Sequence, residues 1–158
     1  MTRSAIFFLR AVILLVGAGV LAGMLWEPQV EGRNVNADQA TIYFRDPFLV
    51  YAYVGSLPFF FGLYQAFKLL GYVGQGEAFS PGAIRGLRSI RYCALAVIGF
   101  IVGAEVYIVL GVDDDHAGAV AMGIFASLIG LVAATAAAVL ERVLQNAVDL
   151  QLEHDLTV

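Results

Sequence analysis

AGAVAMGIFASLIGLVAATAAAVL, residues 117–140, decides the class of this protein. The run carries no charged side chain and exceeds the roughly 20 residues that a helix needs to cross a hydrocarbon core. Three more runs match it: Phe7–Leu25, Phe48–Leu70 and Tyr92–Leu110. Each is interrupted by one charge, Arg10, Lys68 and Glu105 respectively. The chain is 60% hydrophobic and 14% charged, where a soluble domain is nearer half apolar and about a quarter charged. The expectation is an all-α protein, a four-transmembrane-helix bundle, with residues 1–158 forming one integral membrane domain.

The positive charges set the orientation. Arg3, Arg10, Lys68, Arg85, Arg88, Arg91 and Arg142 fall on one side of the four spans, and only Arg33 and Arg45 on the other. Short loops rich in Lys and Arg stay in the cytoplasm. Both termini and the loop 71–91 are therefore expected inside a bacterial inner membrane, with residues 27–46 forming the outer loop. Arg3 and Arg10 before an apolar stretch also resemble a secretory leader, but no small-x-small cleavage site follows before Trp26-Glu27-Pro28, so a retained first span is expected. Trp26, Tyr43, Tyr51, Tyr53 and Tyr107 gather toward the outer interface, where amphipathic rings settle.

Several classes are excluded. The single cysteine, Cys93, forms no intrachain disulfide and cannot supply the cysteine pairs of a quinone-linked thiol oxidase. His116 and His154 lie at opposite ends of the last helical segment and cannot share one haem. The net charge of -4 gives no sign of direct nucleic-acid binding. No HExxH, P-loop, Rossmann fingerprint or nucleophile–base–acid set is present. A non-enzymatic protein without a cofactor is expected.

Local signals refine the architecture. Gly19-x-x-x-Gly23, Gly99-x-x-x-Gly103 and the row Ala126, Gly130, Ala134, Ala138 form flat stripes that let backbones approach closely. Packing within the bundle is their expected use, with a homo-oligomer interface as the alternative. Pro58 after Ser56 predicts a kink in the second span. Phe59, Phe60 and Phe61 are expected to face lipid or fill the core. In the outer loop, Gly32, Asn34 and Asn36 mark a turn, and Thr41–Phe44 has strand-like composition, which predicts a short hairpin or a cap. Ser80-Pro81 is a helix start, a capping hydroxyl before a proline at the first helical position. No breaker follows until Gly111, so the third helix should run for about 30 residues, about 45 Å.

The fourth helix should start near Asp115 and pass Leu140 through Gln145 and Asp149. The third and fourth helices would thus extend into the cytoplasm as a helical hairpin stalk. A turn centred near Asp113–Asp114 places Arg85 level with Arg142, Arg88 with Val139, and Glu141 between the heights of Arg85 and Arg88. Glu141 is expected to pair with Arg85 or Arg88. A surface pair of that kind contributes about 0–1 kcal/mol, enough to set register more than stability. Beyond it, Gln145, Asn146, Asp149 and Glu153 form a polar face beside apolar Val143, Leu144, Ala147, Leu150 and Leu152. The expected use of this face is an amphipathic helix docked on its neighbour or on the inner membrane surface. The acidity of the tail, from Glu141, Asp149, Glu153 and Asp155, argues against an anionic membrane surface, and a protein partner is the sharper alternative.

Two places could carry chemistry. Glu105 is the only acid well inside a span, about 7–8 Å below the end of its helix. An intramembrane carboxylate is costly and marks a functional candidate by default; the bland alternative is an interfacial Glu held by Arg33, Arg45, a tyrosine or water. Asp113, Asp114, Asp115 and His116 make a dense acidic turn, either a capped loop or a calcium-like cation site. Lys68, a turn from Gln65, is expected to snorkel, as is Arg10.

The residues resemble a family. PFFFGLYQA (58–66), AFS (78–80), IRYCA (90–94), VLQNAVD (143–149) and DLTV (155–158) look like the bacterial domain-of-unknown-function 2975 family. The resemblance runs from the second span to the C-terminus, with Gly62 and His154 as departures that leave the pattern intact. It implies a four-span membrane protein without an assigned activity. Members are often encoded beside a small helix-turn-helix regulator, which implies a cytoplasmic regulator as partner. Three functions follow as expectations: a sensor or regulatory scaffold acting on such a regulator, an oligomeric transporter or channel using Glu105, and an immunity or lipid-binding membrane protein.

Overall fold

The computed structural model describes residues 3–30, 38–44, 47–111 and 117–156, and all of its regular structure is helical. Helix α1 spans Arg3–Val30, α2 Gln39–Phe44, α3 Pro47–Gly74, α4 Pro81–Gly111 and α5 Ala117–Leu156. Four of them, α1, α3, α4 and α5, are long and apolar enough to cross a membrane. In hydrocarbon nothing outside the chain accepts or donates a backbone hydrogen bond, so each crossing has to be one closed helical ladder. The long helices pack in chain order: α1 on α3, α3 on α4, and α4 along α5.

The start of α4 forms as its sequence requires. The Ser80 hydroxyl accepts from the Ala83 amide at 3.2 Å, and Pro81 occupies the first helical position. The preceding helix ends equally clearly. Gly76 takes φ +79°, the Glu77 amide donates to the Tyr72 carbonyl at 2.8 Å, and the Gly76 amide to Val73 at 3.3 Å. That is a Schellman ending, which needs a left-handed residue and so favours glycine at 76. Helix α3 continues through Pro58, with the Ser56 hydroxyl donating to the Tyr53 carbonyl at 2.7 Å.

The segment Thr41–Phe44 belongs to helix α2, not to a strand. Tyr43 explains the difference. Its hydroxyl donates to the Leu25 carbonyl at 2.9 Å, and its ring lies 6.4 Å from that of Tyr53. Tertiary contact at the ends of α1 and α3 thus overrides the β-propensity of a short apolar stretch. The turn read at Gly32, Asn34 and Asn36 lies outside the described residues.

The small-residue stripes have different fates. A side chain grafted at Gly55 would lie 3.0 Å from the Phe100 ring, at Gly62 3.3 Å from Cys93, and at Gly130 2.9 Å from Ile98. These positions let α3, α4 and α5 approach closely. Gly103 receives the Tyr51 hydroxyl, whereas Gly99 borders open space. Gly19 and Gly23 also border open space, so the stripe on α1 points away from the described bundle rather than into it. Gly55→Leu is expected to wedge α3 from α4 at a cost of about 1–3 kcal/mol. Gly19→Leu and Gly23→Leu should stay within about 0.5 kcal/mol. Thermal unfolding of the three variants in one detergent measures the contrast.

Candidate functional site

The deepest packing is at the Arg-rich end of the α4–α5 hairpin. Ala83 and Leu87 of α4 and Ala134 and Ala137 of α5 are buried. Among them sits Glu141, a carboxylate only 5% exposed. Arg88 donates from Nε to Glu141 Oε1 at 2.6 Å, and Arg91 places Nη1 3.1 Å from Oε2. Arg88 and Arg91 are three residues apart and so share one face of α4. Arg85 is on that face too, but its Nε donates to the Pro81 carbonyl of its own helix at 3.2 Å.

The predicted pairing of Glu141 with Arg88 is therefore present, with Arg91 rather than Arg85 as the second cation. The direction of the side chains explains the choice. Side chains on α4 lean toward its N-terminus, so Arg91 reaches back toward the level of Glu141, whereas Arg85 reaches away from it to Pro81. The pair is also not a surface pair, because the carboxylate is enclosed. The Glu141 hydrogen bond and charge hold the Arg88 guanidinium above its ordinary pKa. A group raised in this way loses its proton only above the guanidinium range, so Arg88 stays charged throughout physiological pH.

Glu105 lies on the α5-facing side of α4, near the opposite end of the hairpin. A side chain grafted at Gly123 would meet the Glu105 carboxyl carbon at 2.8 Å, so the carboxylate occupies room that only glycine leaves. Its Oε1 is buried and has no hydrogen-bond partner among the described residues. Arg33 and Arg45, its expected alternative partners, lie outside those residues, as does the acidic turn Asp113, Asp114, Asp115 and His116. Glu105 does not line the apolar cleft of about 300 Å³ that Met24, Tyr51, Phe59 and Phe100 enclose between α1, α3 and α4.

Tyrosine hydroxyls join the helices at this same end. Tyr51 donates to the Phe100 carbonyl at 2.9 Å, and Tyr53 to the Met24 carbonyl at 3.1 Å. Their sequence signal was interfacial placement; the carbonyl partners depend on helix order and were not readable.

The distal part of α5 forms a separate surface. Pro81, where α4 begins, is about level with Ala147, so α5 runs on past its neighbour for about two and a half turns. Gln145, Asn146 and Asp149 are exposed there, as are Leu150 at 66% and Leu152 at 57%. Asp155 lies in the last helical turn.

Four long apolar helices of this arrangement define an integral membrane protein with a charged helical hairpin at one end. The chain belongs to the family described as protein of unknown function DUF2975, whose model matches residues 33–158. It is 35% identical over 160 residues to a Bacillus subtilis (strain 168) relative described as uncharacterized membrane protein YoaS, covering 100% of both chains. No solved structure matches.

Removing both Arg88 and Arg91 as alanines leaves the Glu141 carboxylate buried and unpaired, which for such a group costs about 3–5 kcal/mol. Glu141→Leu removes the charge itself and is expected to cost far less. Helix content followed against temperature should rank the double variant well below Glu141→Leu; the reverse order would show that the enclosed charge is not what the arginines compensate.

Proposed function

We propose that this protein is a non-enzymatic sensor or regulatory scaffold of the bacterial inner membrane. Both termini lie in the cytoplasm, and the distal end of α5 holds a cytoplasmic protein. The observation that carries this reading is the projection of α5 beyond α4 with Leu150 and Leu152 exposed. Exposed leucines on a helix that has left both lipid and neighbour are suited to a groove in a partner. Asp149 and Glu153 flank them, so the complementary groove is basic at its rim. A small helix-turn-helix regulator, which is basic where it meets DNA, fits that description. The outer loop and acidic turn would receive the signal, and the rigid α4–α5 hairpin would carry it inward.

A partner co-purifying with the full chain should be lost when the chain ends at Leu144, and lost again with Asp149→Lys and Glu153→Lys together. Equal recovery from all three proteins would count against the scaffold.

The buried Oε1 of Glu105, with no hydrogen-bond partner among the described residues, supports a second reading, an oligomeric carrier in which Glu105 is the coupling carboxylate. Under it, Glu105→Gln abolishes cation flux into proteoliposomes. Undiminished flux in that variant would remove Glu105 from the mechanism.

A further inference from the structure

At the Arg-rich end of α1 and α3 lies an open cleft of about 390 Å³ that neither reading above uses. Arg10, Phe67, Lys68, Tyr72 and Gln75 line it, and no carboxylate among the described residues does. Arg10 is held across it. Its guanidinium carbon is 4.7 Å from the centre of the Phe67 ring, and a side chain grafted at Gly71 would lie 2.9 Å from Nη2. The guanidinium thus rests between a ring face and a bare stretch of backbone. Its Nε is buried and has no hydrogen-bond partner among the described residues. Two cations, hydroxyl and amide donors and no acid make a site for a multivalent oxyanion, and arginine and lysine are the side chains that bind phosphate best.

The surroundings select the carrier of that phosphate. From the cleft, Leu57, Phe61 and Tyr64 form an exposed stripe at helical spacing down α3, into the hydrocarbon. Phosphate would sit at the cleft and an acyl chain along the stripe. The geometry points to a specific binding site for the phosphate headgroup of an anionic glycerophospholipid, in the leaflet at the Arg-rich end. Basic pockets between membrane helices commonly take such headgroups. The site explains why Arg10 stands a turn inside the first span: it meets a headgroup there instead of only reaching for water.

Native mass spectrometry of the full chain, released from neutral detergent with equal phosphatidylglycerol and phosphatidylcholine, tests this. Wild type should retain phosphatidylglycerol selectively. Arg10→Gln and Lys68→Gln should each weaken retention about fivefold, and the two together about thirtyfold, as expected for about 1 kcal/mol per basic side chain near anionic lipid. Arg10→Lys should keep most of the affinity, and Arg142→Gln, the same charge change elsewhere, should keep all of it. Lys68 is exposed, so Lys68→Gln retains its fold and the test survives if the double variant does not. Equal retention of both lipids, or retention unchanged in folded Lys68→Gln and Arg10→Gln, overturns the site. Displacement of phosphatidylglycerol by millimolar inorganic phosphate would assign the cleft to a free anion and overturn the lipid assignment.

Discussion

Hydrocarbon offers this chain no hydrogen-bond partners, and that constraint accounts for both its helices and the way they associate. Each crossing is an uninterrupted helix because a broken ladder in lipid costs several kcal/mol per group. The same solvent removes the usual reason for helices to pack, since a leucine gains nothing by leaving lipid for another leucine. Most of the residues enclosed by protein, Ile6, Ala83, Gly86, Leu87, Ala134, Ala137 and Glu141 but not Pro28 or Gly55, lie toward the Arg-rich end, where the helices approach water and apolar burial becomes favourable again.

Within the hydrocarbon, contact relies on other means. Gly55, Gly62 and Gly130 bring backbones close enough for dispersion to act over many atoms. Tyr51 and Tyr53 add hydroxyl donors to carbonyls of neighbouring helices. Those bonds are near the end opposite the arginines, so the molecule is tied by tyrosines at one end and by Arg88, Arg91 and Glu141 at the other. Of the four long helices α1 packs least extensively and presents Gly19 and Gly23 outward, while α4 and α5 form the most closely joined pair.

The spans, the Ser80-Pro81 start of α4 and the pairing of Glu141 with Arg88 were all readable from residue order, because each follows from local periodicity or from the level of two antiparallel helices. What was not readable depends on neighbours. A Gly-x-x-x-Gly row states that a face is flat but not what lies against it, so at Gly19 and Gly23 the sequence alone does not separate packing within the bundle from an outward-facing stripe. Thr41–Phe44 has the composition of a strand and is helical because Tyr43 reaches α1. The three-residue spacing of Arg88 and Arg91 puts both on one face of α4 and is the sequence signal for the second cation on Glu141. The enclosure of Glu141 follows from alanines on both helices that let the backbones close around it.

That enclosure raises the question of why a charge is there at all, since apolar replacements of buried ion pairs are often neutral or stabilising. The best-attested use of such a pair is to define register. Helix α5 carries small residues at 126, 130, 134 and 138, a row that superimposes on itself after a slip of four residues, about 6 Å. Apolar packing alone would discriminate weakly between those positions. Glu141 would not survive the slip, because its carboxylate would leave Arg88 and Arg91 while still enclosed. One ion pair at the end of the hairpin therefore gives a unique alignment to two helices whose remaining contacts repeat, and it fixes how far α5 projects beyond α4.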